Sequence, residues 1–242
     1  MKTLQQHIHE WKVNNTSVSN VNTKDFFLYD VIINTNIRIF NSTWRQVYYY
    51  NPKVFINGKR IEIDENGYTL NKFKNGTYAV NIEGIDQISK CEGMFSGCTF
   101  LKKVPLFDTR NANDMSYMFW GCENLKIVPK FNTINVKSTR NMFYGCGNLI
   151  IAPFFNTKNV IDISGMFRQC ENLERVPEFD TKNVNTMECM FANCINLKDV
   201  PRFFVGKFCN IINMFYGCKN LSEKTKEAWS DIYDFETNNK KL

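Results

Sequence analysis

The dipeptide Met-Phe stands at 94–95, 118–119, 142–143, 166–167, 190–191 and 214–215, with a step of 24 residues each time. Four residues after each Met comes a cysteine (Cys98, Cys122, Cys146, Cys170, Cys194, Cys218), and three further on a leucine (Leu101, Leu125, Leu149, Leu173, Leu197, Leu221). A proline follows at 105, 129, 153, 177 and 201, with a phenylalanine two beyond it. A period of this size means stacked repeats, because one unit cannot bury its apolar residues alone whereas identical neighbours can. The abundance of core-forming Phe (21) and Met (9) follows from that repetition.

Within one unit, Met115, Met118, Phe119 and Cys122 fall at i, i+3, i+4 and i+7, which predicts one face of a helix of about two turns. Asp114 precedes it as an N-cap, and Ser138, Asp162, Thr186 and Asn210 hold the same slot in later units. Gly97, Gly121, Gly145 and Gly217 suit a left-handed end to that helix, while Gln169 and Asn193 predict slightly different turns in two units. Leu125, Val128 and Phe131 then point inward from a short extended run that Pro129 keeps brief. The stretch Asp108-Thr109-Arg110-Asn111 and its copies read as the returning turn. The expected fold is an α/β solenoid in which strands about 4.8 Å apart stack six coils into a body roughly 25–30 Å long.

The run M-F-x-G-C-x-N-L-K-x-V-P-x-F-(D/N)-T-x-N-V resembles the repeat of BspA-family leucine-rich-repeat surface proteins, a repeat that recurs in Mycoplasma-type lipoproteins. It spans about residues 85–221. The resemblance implies a right-handed, leucine-rich-repeat-like solenoid with a non-enzymatic role in adhesion or in protein or glycan recognition.

Around this core the chain divides into three parts. Residues 1–84 form an N-terminal helix and a small β-rich capping unit, 85–221 the six repeats, and 222–242 a C-terminal helical cap and tail. Leu4, Ile8 and Trp11 make one stripe of a helix over residues 2–12. This segment also resembles the M-K-T-x-x-x-x-I-x-E leader of structural proteins of large tailed phages, which implies an alternative role as a virion protein, capsid- or tail-associated, held by its N-terminal segment. Residues 14–23 read as a polar loop, and 26–40 as apolar, with helix and strand both open. Val54–Ile56, Asn57-Gly58 and Arg60–Ile63 predict a hairpin. Turns at 65–67 and 74–76 separate strands at 68–73 and 78–82, and this unit would close the open first coil. At the other end, Trp229, Ile232 and Tyr233 predict a capping helix from about 223 to 235, with residues 238–242 frayed.

The N-terminus has no apolar core of a secretory signal, and no apolar stretch reaches membrane-spanning length. The expectation is a chain cytoplasmic as synthesised, or in a virion, reaching a cell surface only by a non-Sec route. Ten basic residues against seven acidic before residue 85, and twenty against seventeen after it, spread the charge of +6 evenly, which speaks against a nucleic-acid patch.

Chemistry is sparse. The repeats contain no histidine, so no Ser-His or Cys-His nucleophile can be assembled there. His7 and His9 point apart on a helix. Cysteines spaced by 24 do not match paired zinc ligands, and parallel neighbours rarely meet disulfide geometry. They read as buried free thiols. No catalytic residue, metal or cofactor is expected.

What varies between repeats is more informative. The slots after the leucine and the proline hold Lys126, Ile127 and Lys130 in one unit, Ile150, Ile151 and Phe154 in the next, and Glu174 and Glu178 in the one after. Glu174 and Glu178 read as a solvated face rather than a catalytic carboxylate pair. Together these eight residues predict a partner-binding face with Ile127, Ile150, Ile151 and Phe154 as its apolar centre.

Overall fold

A computed structural model describes residues 27–31, 37–40, 53–57, 59–74, 76–83, 85 and 89–241. The helix expected at 2–12, the loop at 14–23 and both histidines lie outside the described residues.

The strands are β1 (Phe27–Val31), β2 (Lys53–Ile56), β3 (Lys59–Ile61), β4 (Gly76–Glu83) and β5 (Leu101–Lys103), joined in one sheet in the order β3-β2-β4-β1-β5. The hairpin expected at Asn57-Gly58 is present, with Val54 opposite Ile61 and Ile56 opposite Lys59. Asn57 takes φ 51°, the left-handed conformation such a turn needs. Residues 68–73 form single bridges, such as Tyr68 to Arg38 and Thr69 to Ile63, rather than the expected strand. β1 pairs with β5, which belongs to the first repeat, so the N-terminal sheet runs into the repeats.

From there, parallel bridges link residues 24 apart: Asp114 to Ser138, Ser138 to Asp162, Asp162 to Thr186, and Thr186 to Asn210. A second column joins Lys103 to Ile127, Ile151 to Arg175 and Arg175 to Asp199. Consecutive repeats are thus stacked coils. Phe95, Phe119, Phe143, Phe167, Phe191 and Phe215 form a buried column with successive ring centroids 5.4–5.9 Å apart and planes within 14° of parallel. Met118, Cys122 and Leu125 are fully buried beside it, as the periodicity predicts.

The two-turn helix expected over the Met-Phe run is instead a chain of overlapping turns. Met118, Trp120 and Cys122 donate their N–H groups three residues back, to Met115, Tyr117 and Phe119 at 3.0–3.3 Å. The alternate residues Met115, Tyr117, Phe119 and Gly121 donate to the next coil, at Ser138, Arg140, Met142 and Tyr144. A helix would send these groups to the carbonyl four residues back within its own coil. Two left-handed residues per coil prevent that, for example Tyr117 (φ 58°) and Gly121 (φ 68°). Gln169 (φ 60°) and Asn193 (φ 62°) adopt the same conformation as the glycines they replace, so the two coils expected to turn differently do not. The stack's hydrogen bonds outweigh the local cost of a non-glycine left-handed residue.

The turn D/N-T-x-N is explained residue by residue. Asn156 Oδ1 accepts the Lys158 N–H at 3.1 Å, closing a local loop. Thr133 Oγ1 donates forward to the Asn156 carbonyl, and Asn159 Nδ2 donates back to the Ile134 carbonyl. These two bonds tie the turn at 132–135 to the turn at 156–159, and Asn135 Nδ2 to the Arg110 carbonyl and Asn183 Nδ2 to the Lys158 carbonyl tie them to the turns on either side.

Both ends are covered. Phe27 and Phe40 lie 5.2 and 5.7 Å from the Phe95 ring at the first coil. At the last, helix α1 (Glu223–Trp229) starts at Ser222, whose hydroxyl accepts the Thr225 N–H. It ends earlier than the expected 235. Tyr233–Asp234 (β6) then pairs with Asn239–Lys240 (β7), so the tail expected to fray is a small hairpin. Lys240 Nζ anchors it, donating to the carbonyls of Gly206 and Lys207 at 2.8 Å. No helix among the described residues is long and apolar enough to cross a membrane.

Candidate functional site

The slots that follow the leucine and the proline lie on the bridged side of the coils. Backbone bonds fix their order, as Lys126 N–H donates to Lys102 and Glu174 N–H to Ile150, both at 2.9 Å. A side chain flanking the buried leucine in so short a run points outward. Ile127 is 38% exposed, Ile150 50%, Ile151 66% and Phe154 48%. Lys126, Lys130 and Glu178 are exposed and Glu174 is half-buried. Leu106, in the slot of Lys130 and Phe154, extends the apolar surface by one coil, an addition that the slot alignment already contained.

One contact joins two predicted residues across coils, and a second joins Glu174 to Lys198 of the next coil. Lys130 Nζ lies 4.6 Å from the Phe154 ring centroid, a cation–π contact that sets a positive charge at the edge of the apolar patch. Lys198 Nζ lies 3.6 Å from Glu174 Oε2, an exposed pair of little energetic weight. Beside Phe154 and Lys130 opens a concavity of about 480 Å³, walled by Asn132, Asn156, Thr157 and Asp180. Its Thr157 differs from its counterparts. Thr109, Thr133 and Thr181 each donate to a carbonyl of the next coil at 2.7–2.9 Å, whereas Thr157 Oγ1 is buried without a partner.

A second exposed apolar feature escaped the sequence reading. Val136, Val160 and Val184 are buried, yet Phe208 in the same slot is 91% exposed. The turn there closes one residue later, by Cys209 N–H to Gly206 O at 3.0 Å instead of the Val184 N–H to Thr181 O bond of the coil before. Cys209 consequently fills the core and Phe208 swings out. The signal was the loss of the D/N-T-x-N turn, replaced by Phe204-Val205-Gly206-Lys207.

All nine cysteines are free thiols. Burial pushes the thiols of Cys91 and Cys98 up to about 12, away from any nucleophilic role at neutral pH. Among the described residues, no group of three or more His, Cys, Asp or Glu side chains is placed to hold a metal ion. The arrangement can offer apolar contact bordered by charge.

A family model described as "Mycoplasma protein of unknown function, DUF285" matches the chain twice, over residues 68–152 and 150–239. No curated protein and no solved structure matches the chain.

Proposed function

The chain belongs to the DUF285 family of Mycoplasma proteins, and from that membership and its exposed repeat face we propose a non-enzymatic recognition module. In this reading the stacked coils are a right-handed, leucine-rich-repeat-like solenoid of the BspA type, covered by residues 1–84 and 222–242. It binds a protein partner, as an adhesin does, through Lys126, Ile127, Lys130, Ile150, Ile151, Phe154, Glu174 and Glu178. One observation carries this reading: Ile127, Ile150, Ile151 and Phe154 stand exposed at slots where Lys103, Glu174, Arg175 and Glu178 show that the fold accepts charge. The core does not require apolar residues there. Burying about 300 Å² of such surface would supply roughly 7 kcal/mol before association costs.

The test is Ile150→Lys with Phe154→Glu. The double variant keeps the fold and loses partners that wild-type protein retains in cross-linking, or loses its self-association in sedimentation. An unfolded double variant would place these residues in the core, and an unchanged partner set and mass would make the patch idle surface.

A second reading, a virion structural protein, is favoured by the leader-like Met1–Glu10 alone. Removal of residues 1–11 abolishes incorporation into particles in that case and leaves sheet-face binding untouched.

A further inference from the structure

A separate concavity lies along the turn runs and shares no residue with the one beside Phe154. It is a trough of about 580 Å³, the size of a small-ligand site. Gly97, Gly121 and Gly145 form its floor, and Gln169 occupies their slot in the fourth coil. One wall carries Trp120 and Tyr144, with ring centroids 5.8 Å apart and planes at 26°. The Arg168 guanidinium continues the column, 5.5 Å from the Tyr144 centroid. In the other direction the slot holds Ser96, so this column of rings ends at Trp120, which is 43% exposed. The opposite wall carries the exposed carboxylates Glu123 and Glu171, with Asn148 and Asn172 between coils. The two amide groups are fixed by donation to the Glu123 and Gly147 carbonyls at 3.0 and 2.7 Å.

Glu123 and Glu171 are the charged residues that line the trough, and two arginines outside that lining stand near its ends, Arg168 on the ring column and Arg38, whose Nη1 lies beside the space a Cβ on Gly97 would fill, so no single sign of charge covers the region. Neither a polyanion nor a basic peptide complements such a surface. Neutral polyols do: the C–H face of a sugar ring packs on an aromatic ring, and its hydroxyls donate to carboxylates and amide oxygens. Trp120 and Tyr144 on one wall, and Asn148 and Asn172 on the other, recur from one coil to the next, an interval of the order of one sugar unit.

We propose that this trough binds a neutral oligosaccharide, with Trp120 as the stacking platform and Glu123 and Glu171 as hydroxyl acceptors. The site is independent of the protein-binding face proposed above.

The test is a titration of the full chain with cellotetraose, maltotetraose and mannotetraose, and in parallel with tetralysine and a heparin tetrasaccharide. Tryptophan fluorescence and saturation-transfer NMR read the binding. At least one neutral tetrasaccharide binds, and Trp120→Ala weakens it about ten-fold or more with the thermal transition retained. Glu171→Gln weakens it as well, while the Ile150→Lys, Phe154→Glu variant binds sugar like wild type. Three results overturn the proposal: no neutral tetrasaccharide binding, binding that survives both Trp120→Ala and Glu171→Gln, or binding confined to the charged probes.

Discussion

The thiol of Cys146 donates to the backbone carbonyl of Phe119, 3.2 Å away in the preceding coil. The same contact joins Cys122 to Phe95, Cys170 to Phe143, Cys194 to Phe167 and Cys218 to Phe191, at 2.9–3.0 Å. At the first coil, Cys98 reaches Ile39 of the N-terminal unit instead. A small apolar side chain with one weak donor suits this place, since the carbonyl gains a partner without a strongly polar group being buried.

The thiols therefore set an alkaline limit on stability. Desolvation raises Cys91, Cys98 and Cys218 from 9.0 to about 12 in the folded chain. Their contribution is fully present below pH 9 and is lost as pH rises from there towards 12, because the unfolded chain releases those protons first. Urea midpoints are expected to be insensitive to these thiols through neutral pH and to fall above 9. A thiol reagent should modify the partly exposed Cys189 and Cys218 first and the buried thiols, Cys98 to Cys194 of the ladder among them, only on unfolding; ladder disulfides under non-reducing mass spectrometry would contradict this.

Phe143 and Tyr144 are neighbours in sequence with opposite roles. Phe143 is fully buried between the rings of Phe119 and Phe167, at 5.4 and 5.6 Å. Phe143→Ala should cost about 3–5 kcal/mol in chemical denaturation. Tyr144 is half-buried against Trp120, so Tyr144→Ala should cost clearly less. Equal losses would refute the inward and outward assignment of this run.

Left-handed positions give a graded test. Gly121 has φ +68° and its added Cβ would meet only Gly97 Cα at 3.9 Å, so Gly121→Ala should cost about 1–2 kcal/mol from backbone strain alone. Gln169→Gly should recover a similar amount. At Gly67 (φ +78°) a Cβ would overlap the Phe40 backbone carbonyl, so Gly67→Ala should be markedly worse. Thermal melts of the three variants order them.

Trp229 closes the last coil, its ring 5.6 Å from Phe203 and 5.2 Å from Phe215. Trp229→Ala should cost about 3–5 kcal/mol. Its indole N–H is buried without a partner, so Trp229→Phe removes an unsatisfied donor along with some volume and should be the milder change. Equal destabilisation in urea melts would mean that ring volume alone decides.

Much of the architecture's logic was legible one residue at a time. The 24-residue period placed Met118, Phe119, Cys122 and Leu125 inside and left Ile150, Ile151 and Phe154 outside, and their burial agrees. Asn57-Gly58 specified the hairpin through its local preference for φ above zero. The candidate face was legible because a fixed frame makes each departure from its charged slots visible. The trough was not, because Trp120, Tyr144, Glu123 and Glu171 become one surface only when three coils are laid side by side.

Sequence alone thus determined which side chains of the regular repeats are buried, since apolar periodicity reports burial whatever the backbone does. Tertiary structure alone decided where the backbone hydrogen bonds go. The spacing of Met115, Met118, Phe119 and Cys122 fits a helix face, yet Phe119 N–H finds Met142 O in the next coil at 2.9 Å. That acceptor lies 23 residues ahead and exists only once the coils have stacked. The same holds for the turn at Gly206, where closure one residue later exchanges Phe208 for Cys209 in the core. Loss of the D/N-T-x-N turn marks a change there, but which residue turns inward is set by the fit against the neighbouring coil and the β6–β7 hairpin, through Lys240 on the Gly206 carbonyl.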